Sequence, residues 1–219
     1  MIWDDNMEDR YVVLGAGGHS KIILNILCMN GKNIQGLTDV SYKDGDLCMG
    51  YPLLGTDDIL EELYKDGVRC AAIGIGHVGN PRIRNNVYAM AKNIGFSFPN
   101  IIHSSATVAD TVILGEGNLL SAGCIINPDS CIGDICIINT GAVIEHDVII
   151  GKGVHIAPHS TVLGAARIGD DTLIGAGSTI IQGVTIGRNC IIGAGAVVLE
   201  DIEDNSVIVG NPGRLIKRR

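Results

Sequence analysis

Aromatic side chains are nearly missing from this 219-residue chain: one Trp, two Phe and five Tyr, 4% in all. A core without rings must be filled by Ile, Val, Leu and Ala, which suit close, regular stacking. Basic residues are also scarce, 16 Lys and Arg against 24 Asp and Glu, for a formal net charge of −8. That balance argues against a general nucleic-acid binder, which needs cations to neutralise phosphates; the RLIKRR tail is basic but short. No run approaches the roughly 18 apolar residues of a membrane span. Residues 1–10 lack the positive n-region and apolar stretch of a secretory signal, so a cytoplasmic location is expected. The seven cysteines form no CxxC pair and no zinc spacing. They read as small buried hydrophobes in a reducing compartment, and no metal site is predicted.

What the chain does have is glycine, 30 residues, and a strict period. Stepping by six from Ile102 to Val198 meets seventeen positions, and every one is Ile, Leu or Val. Those types make up roughly a third of the stretch, so chance agreement is roughly one in 10⁸. Four residues after each comes a mostly small residue such as Ala106, Cys124, Ser130, Ala142, Ser160 or Ala196, with Asn118 and Ile202 the clear exceptions. The pattern reads as a prism with three flat faces. Each hexad supplies one short strand and one corner, a large aliphatic points inward, and the second inward residue is small because the interior is narrow. Gly, Asn and Asp gather at the corners, where positive φ is needed. The array resembles the hexapeptide-repeat acyltransferases. That resemblance implies a left-handed parallel β-helix with 18-residue coils, an exception to the right-handed crossover rule, here five coils and two thirds of a sixth. Asn205–Arg219 leaves the phase and reads as a cap over an otherwise open strand edge.

Residues 1–101 alternate strand and helix signals and predict a small parallel α/β domain of Rossmann-like type. Tyr11–Gly15, Asn33–Thr38, Cys70–Ile75 and Phe96–Ile101 read as strands. Lys21–Met29, a segment capped at Thr56 and running through Leu63, and a segment opening at Asn80-Pro81 and running to Asn93 read as helices. The chain thus divides into an α/β domain, 1–101, and a β-helix domain with its cap, 102–219. Gly15-x-Gly17-Gly18, after a strand and before a helix, can hold phosphate on backbone amides. Asp39, at the end of the second strand, could take a ribose hydroxyl. One hundred residues are too few for a full two-half dinucleotide fold.

In the array, His146 lies on a corner, pointing outward, between Glu145 and Asp147. An imidazole beside a carboxylate on a rigid scaffold suits a general base, although a solvated polar corner has the same composition. The stretch from Asn139 through His146-Asp147 to Val154-His155-Ile-Ala-Pro158, with the GAGGHS turn and the NPG tail, resembles one subfamily. That subfamily comprises the bacterial UDP-4-amino-sugar N-acetyltransferases and the related sialic acid O-acetyltransferases.

The resemblance implies transfer from acetyl-CoA to the amine of a nucleotide-linked amino-sugar, or to a hydroxyl of a sialic-acid-like sugar. It places His146 as base and Asp147, shorter than the usual Glu, as its orienting acid. His155 falls with the acyl donor. Gly164, one 18-residue coil beyond His146, offers its N–H to the thioester carbonyl. Ala176 and Ala194 form a small-residue column for the pantetheine arm. Gly15, Gly17, Gly18, His19, Asp39, Gly76 and Asn139 fall with the nucleotide-sugar. His159 reads as surface. His146 and His155 are half a coil apart and cannot readily meet in one subunit, so the family's homotrimer, with sites shared between subunits, is the expected assembly.

Overall fold

The computed structural model describes residues 9–219. Residues 1–8, on which the reading of the N-terminus largely rests, lie outside the described residues. Two compact units emerge among the described residues: 9–76 together with Arg82–Ile101, and His77–Pro81 together with Ile102–Arg219.

In the first unit the apolar run Tyr11-Val12-Val13-Leu14 is wholly buried, as a strand covered on both faces must be. It forms most of β1 (Arg10–Leu14), which pairs in parallel with β2 (Asn33–Thr38) and β5 (Cys70–Ile73). A hairpin absent from the sequence reading, β3 (Leu47–Cys48) and β4 (Tyr51–Gly55), extends the sheet to the order β3-β4-β2-β1-β5. Its turn places Met49 and Gly50 at φ 50° and 84°. Only the glycine of that pair is a hairpin signal, because Met rarely adopts the left-handed region.

Helix α1 spans Gly18–Met29, three residues earlier than expected. Ser20 Oγ donates back to Gly17 O at 2.5 Å and closes the first turn within the glycine motif. A single 3₁₀ turn, Asp57–Ile59, leads into α2 (Leu60–Lys65). Helix α3 (Arg82–Ile94) starts after Asn80-Pro81 rather than at them, and those two residues group with the second unit. The expected strand over Phe96–Ile101 is reduced to one bridge, Ser97 to Cys70. Phe96 and Phe98 turn into the core instead, and Ile101 opens the two-residue strand Ile101–Ile102.

The second unit is the expected prism. Seventeen two-residue strands, from β6 (Ile101–Ile102) to β22 (Val197–Val198), each end on one of the seventeen predicted aliphatics. They build three parallel sheets in which residue i pairs with i+18, as in Ile126 to Ile144 to Val162 to Ile180 to Val198. The ladder repeats through bonds such as Glu145 N–H to Val162 O, 2.9 Å. Inward aliphatics from Leu120 to Val198 are buried and form one continuous core with the small residues four places on. Each fully buried Ile contributes roughly 1.5–3 kcal/mol.

The exception Asn118 is buried too, and its side chain completes the backbone: Oδ1 accepts Cys136 N–H at 2.7 Å and Nδ2 donates to Gly115 O. At the far end β23 (Ser206–Val209) pairs Ile208 with Ile192, sixteen residues back instead of eighteen. The antiparallel β24 (Arg214–Arg218) then covers β23. Its exposed edge carries Lys217 and Arg218, charges that oppose further strand addition.

The interior width is the tightest constraint. Ala166 is fully buried between Val148 and Val184, one coil to either side. Ala166→Leu is expected to destabilise by roughly 1–3 kcal/mol through overpacking, read as a lowered urea midpoint. Arg167→Ala, on the exposed neighbour, is the control that leaves the midpoint in place.

Candidate active site

His146 occupies the corner after β13 (Val143–Ile144). Its side chain is 61% exposed and that of Asp147 59% exposed. Asp147 sits at φ 60°, a left-handed corner position that Asp tolerates better than most residues. That conformation turns its short side chain back onto the ring, so Asp147 Oδ2 lies 2.7 Å from His146 Nδ1. The shorter acid therefore reaches. With Nδ1–H donated to the carboxylate, Nε2 remains as the acceptor facing outward. The Asp147 hydrogen bond raises the imidazole pKa above its ordinary value; partial desolvation works against it, and the charges of Asp147 and Glu145 add to it.

Gly164 stands one coil beyond, and the ring lies against it. A methyl group there would be 2.9 Å from His146 Nε2 and 2.8 Å from Cε1. Glycine is thus the residue that leaves room for the imidazole. Among the described residues no acceptor takes the Gly164 N–H, while its carbonyl accepts from Gly183. An imidazole and an open backbone N–H stand side by side, group types that serve as base and oxyanion donor in acyl transfer. Ala176 and Ala194 are both exposed on their own corner column, joined by the Gly195 N–H to Ala176 O bond of 2.9 Å. His159 packs its ring over Gly141 at a separate corner.

His155 is half-buried on a flat face, in β15 (His155–Ile156). Asn139 Nδ2 lies 3.1 Å from its Nε2, and the backbone carbonyl of His77 lies 2.7 Å from its Nδ1. Asn139 was expected with the substrate, yet its amide is engaged by His155 and by Thr140 N–H. His77 did not emerge from the sequence, where the Gly-Ile-Gly-His run drew attention only to its glycines.

In the first unit the glycine turn is built by close approach. Gly15 N–H donates to Thr38 O and Gly74 N–H to Leu14 O, and a methyl on Gly74 would lie 2.5 Å from Gly15 O. Gly17 and Gly18 face open space, and Gly76 lies beside the His19 side chain. Asp39 Oδ2 accepts Ala16 N–H at 2.7 Å, and Oδ1 accepts both the N–H and the hydroxyl of Ser41. Burial pushes that carboxyl upward, but these three bonds outweigh it and hold the pKa below the ordinary value. A cleft of about 400 Å³ opens here between Ala16, Lys21, Ser41 and the hairpin residues Asp46–Met49. Lys21 and the hairpin were missed: Lys21 reads as an ordinary helix residue, and the hairpin had no clear turn signal. A larger hollow of about 770 Å³ beside α2 and α3 holds none of the predicted site residues.

Residues 10–91 match the PglD N-terminal domain, and residues 132–164 and 165–200 match the bacterial transferase hexapeptide repeat. A perosamine N-acetyltransferase variant from Caulobacter crescentus, solved with CoA and GDP-perosamine, superimposes with a TM-score of 0.91. It is 37% identical over 94% of this chain and 96% of that one. The chain belongs to the hexapeptide-repeat sugar acetyltransferases. The acetyltransferase domain of PglB from Neisseria gonorrhoeae, solved with acetyl coenzyme A, is 33% identical over 95% of this chain and all of that one, at a TM-score of 0.88. An uncharacterized protein of Acanthamoeba polyphaga mimivirus is 33% identical over 115 residues, and this chain spans 22% of its length.

Membership of this family makes the chain an acyl-CoA-dependent acyltransferase with an α/β domain followed by a left-handed β-helix. Among the described residues no helix is long and apolar enough to cross a membrane. Because the Asp147 bond favours imidazolium, NMR titration of His146 is expected to give a pKa above the ordinary histidine value. In Asp147→Asn the titration moves to lower pH; an unchanged midpoint would show that the carboxylate does not act on the ring.

Proposed function

We propose that this protein transfers the acetyl group of acetyl-CoA to the amine of a nucleotide-linked amino-sugar. The observation that carries the reading is the His146 ring, held by Asp147 at 2.7 Å and lying against Gly164. Neutral His146 Nε2 takes a proton from the amine as its nitrogen bonds to the thioester carbonyl carbon. The carbonyl oxygen becomes an oxyanion and is received by Gly164 N–H. Collapse of the tetrahedral intermediate breaks the C–S bond, and imidazolium returns the proton to the departing CoA thiolate. No covalent enzyme intermediate is required, and no Cys or Ser adjoins His146 in the sequence.

Ala176 and Ala194 supply a low surface along which the pantetheine arm lies, and His155 faces the acyl donor. Gly15, Gly17, Gly18 and His19, with Gly76 beside them, receive the nucleotide-sugar phosphates. Asp39 shapes that cleft by holding Ala16 and Ser41. The similar perosamine enzyme was solved with a GDP-sugar, which supports a nucleotide-linked acceptor. A homotrimer brings His146 of one subunit to His155 of the next, and a cytoplasmic location supplies the acyl donor.

Thiol release from acetyl-CoA against a panel of nucleotide amino-sugars and sialic acids tests the reaction. Release with amine acceptors is expected, and release with hydroxyl acceptors alone would overturn the choice of nucleophile. His146→Ala is expected to lower turnover by roughly 10²–10⁴. Gly164→Ala, whose methyl displaces the ring without straining the backbone, is expected to cost about 10² through misplacement. Gel filtration with cross-linking is expected to show the active species as a trimer; an active monomer would rule out shared sites.

A further inference from the structure

His155 has a partner near each ring nitrogen, and their donor and acceptor capacities point to one tautomer. Nδ1 lies 2.7 Å from the His77 carbonyl oxygen, which can only accept, so Nδ1 carries the hydrogen. Asn139 Oδ1 accepts Thr140 N–H at 2.8 Å, which turns the amide nitrogen toward His155. Nε2, 3.1 Å from that nitrogen, is therefore an acceptor. Protonating Nε2 would set two N–H groups against each other. These two contacts favour a neutral ring in the Nδ1–H tautomer.

The carbonyl that does this belongs to a segment seated with equal definition. His77 is 1% exposed. Its Nδ1 accepts Gly79 N–H at 3.3 Å, so its Nε2–H donates to Asp171 O at 3.1 Å. The two rings stand 6.3 Å apart at 67°. Gly79 O in turn receives a hydrogen bond from the Arg219 guanidinium. Residues 77–81 thus pack with the β-helix although they follow β5 and precede α3 in the chain.

We propose that His77 is a positioning residue for acyl-donor binding. Its buried ring seats the segment so that its carbonyl, with Asn139, fixes His155 as a neutral Nδ1–H imidazole. His155 then meets the donor as an uncharged ring edge rather than as an acid, a base or a hydrogen-bond donor. This rests on the reading that His155 faces acetyl-CoA, and it moves Asn139 from the sugar to the support of His155.

Two measurements on the full chain test it. Long-range ¹H–¹⁵N spectra of imidazole-labelled protein, with the His155 signal identified by its loss in His155→Phe, are expected to show a neutral Nδ1–H ring across the His146 titration. An Nε2–H tautomer, or titration together with His146, overturns the proposal, whatever the enzyme acetylates. Calorimetry with CoA is expected to give an about tenfold weaker Kd for His77→Ala, the size of effect that follows from a modest misplacement. His77→Gln, whose amide can donate to Asp171 O and accept from Gly79, restores it. Unchanged CoA binding in a folded His77→Ala sinks the positioning role alone, whereas failure of the wild type to bind CoA sinks the acetyl-transfer reading.

Discussion

In each coil of the second unit, an inward Ile, Leu or Val rests on its equivalent eighteen residues away, and the backbone ladder keeps that spacing from Ile102 to Val198. The columns leave so little width that the second inward position is Ala, Ser, Cys, Thr or Val almost throughout. Once the aliphatic column is in place, the side-chain direction of every other hexad position follows. Residues after each strand turn outward at a corner, and from Gly117 to Gly195 the third residue after each inward aliphatic takes the left-handed conformation, supplied by Gly, Asp or Asn and at a few corners by Ala, His or Ile. An inward polar group is tolerated only when it replaces a backbone partner, as Asn118 does for Cys136.

That regularity gives the His146 corner its stiffness. His146 is highly exposed, and an exposed imidazole on a mobile loop would sample many rotamers. Here its backbone is clamped by the ladder, its Nδ1 by Asp147, and one ring face by the absence of a side chain at Gly164. The conformation that lets Asp147 make the corner is also the one that lets a short carboxylate reach the ring. Geometry and electrostatics therefore come from the same residue. The resulting rise in the His146 pKa means that, in the proposed role of base, the ring is fully available only above the ordinary imidazole range.

The first unit follows a different logic. Its sheet depends on buried Val12, Val13 and Leu14 and on glycines where backbones nearly touch, at Gly15 and Gly74. Asp39 links the end of β2 to the glycine turn, so the acid that a dinucleotide fold would offer to a ribose has its oxygens engaged in holding that turn. The cleft beside it is completed by a hairpin whose turn begins at Met49, a residue that no turn rule would select.

The six-residue period, met seventeen times, determined from sequence alone the inward residues and the outward corner of His146, while the family resemblance it carries implied the left-handed β-helix and the 18-residue coil that sets Gly164 beyond that corner. The resemblance in Asn139–Pro158 and in the GAGGHS turn carried the reaction class. Only the tertiary structure decided that Asp147 reaches His146, that Asn139 serves His155, and that His77 joins the β-helix rather than the sheet it follows. It alone left Phe96–Asn100 with a single bridge, at Ser97, and revealed the β3–β4 hairpin. The physical reason is common to these cases. Each depends on contacts between residues far apart in sequence or on a backbone conformation that the residue type does not announce, and neither leaves a periodic trace in the chain.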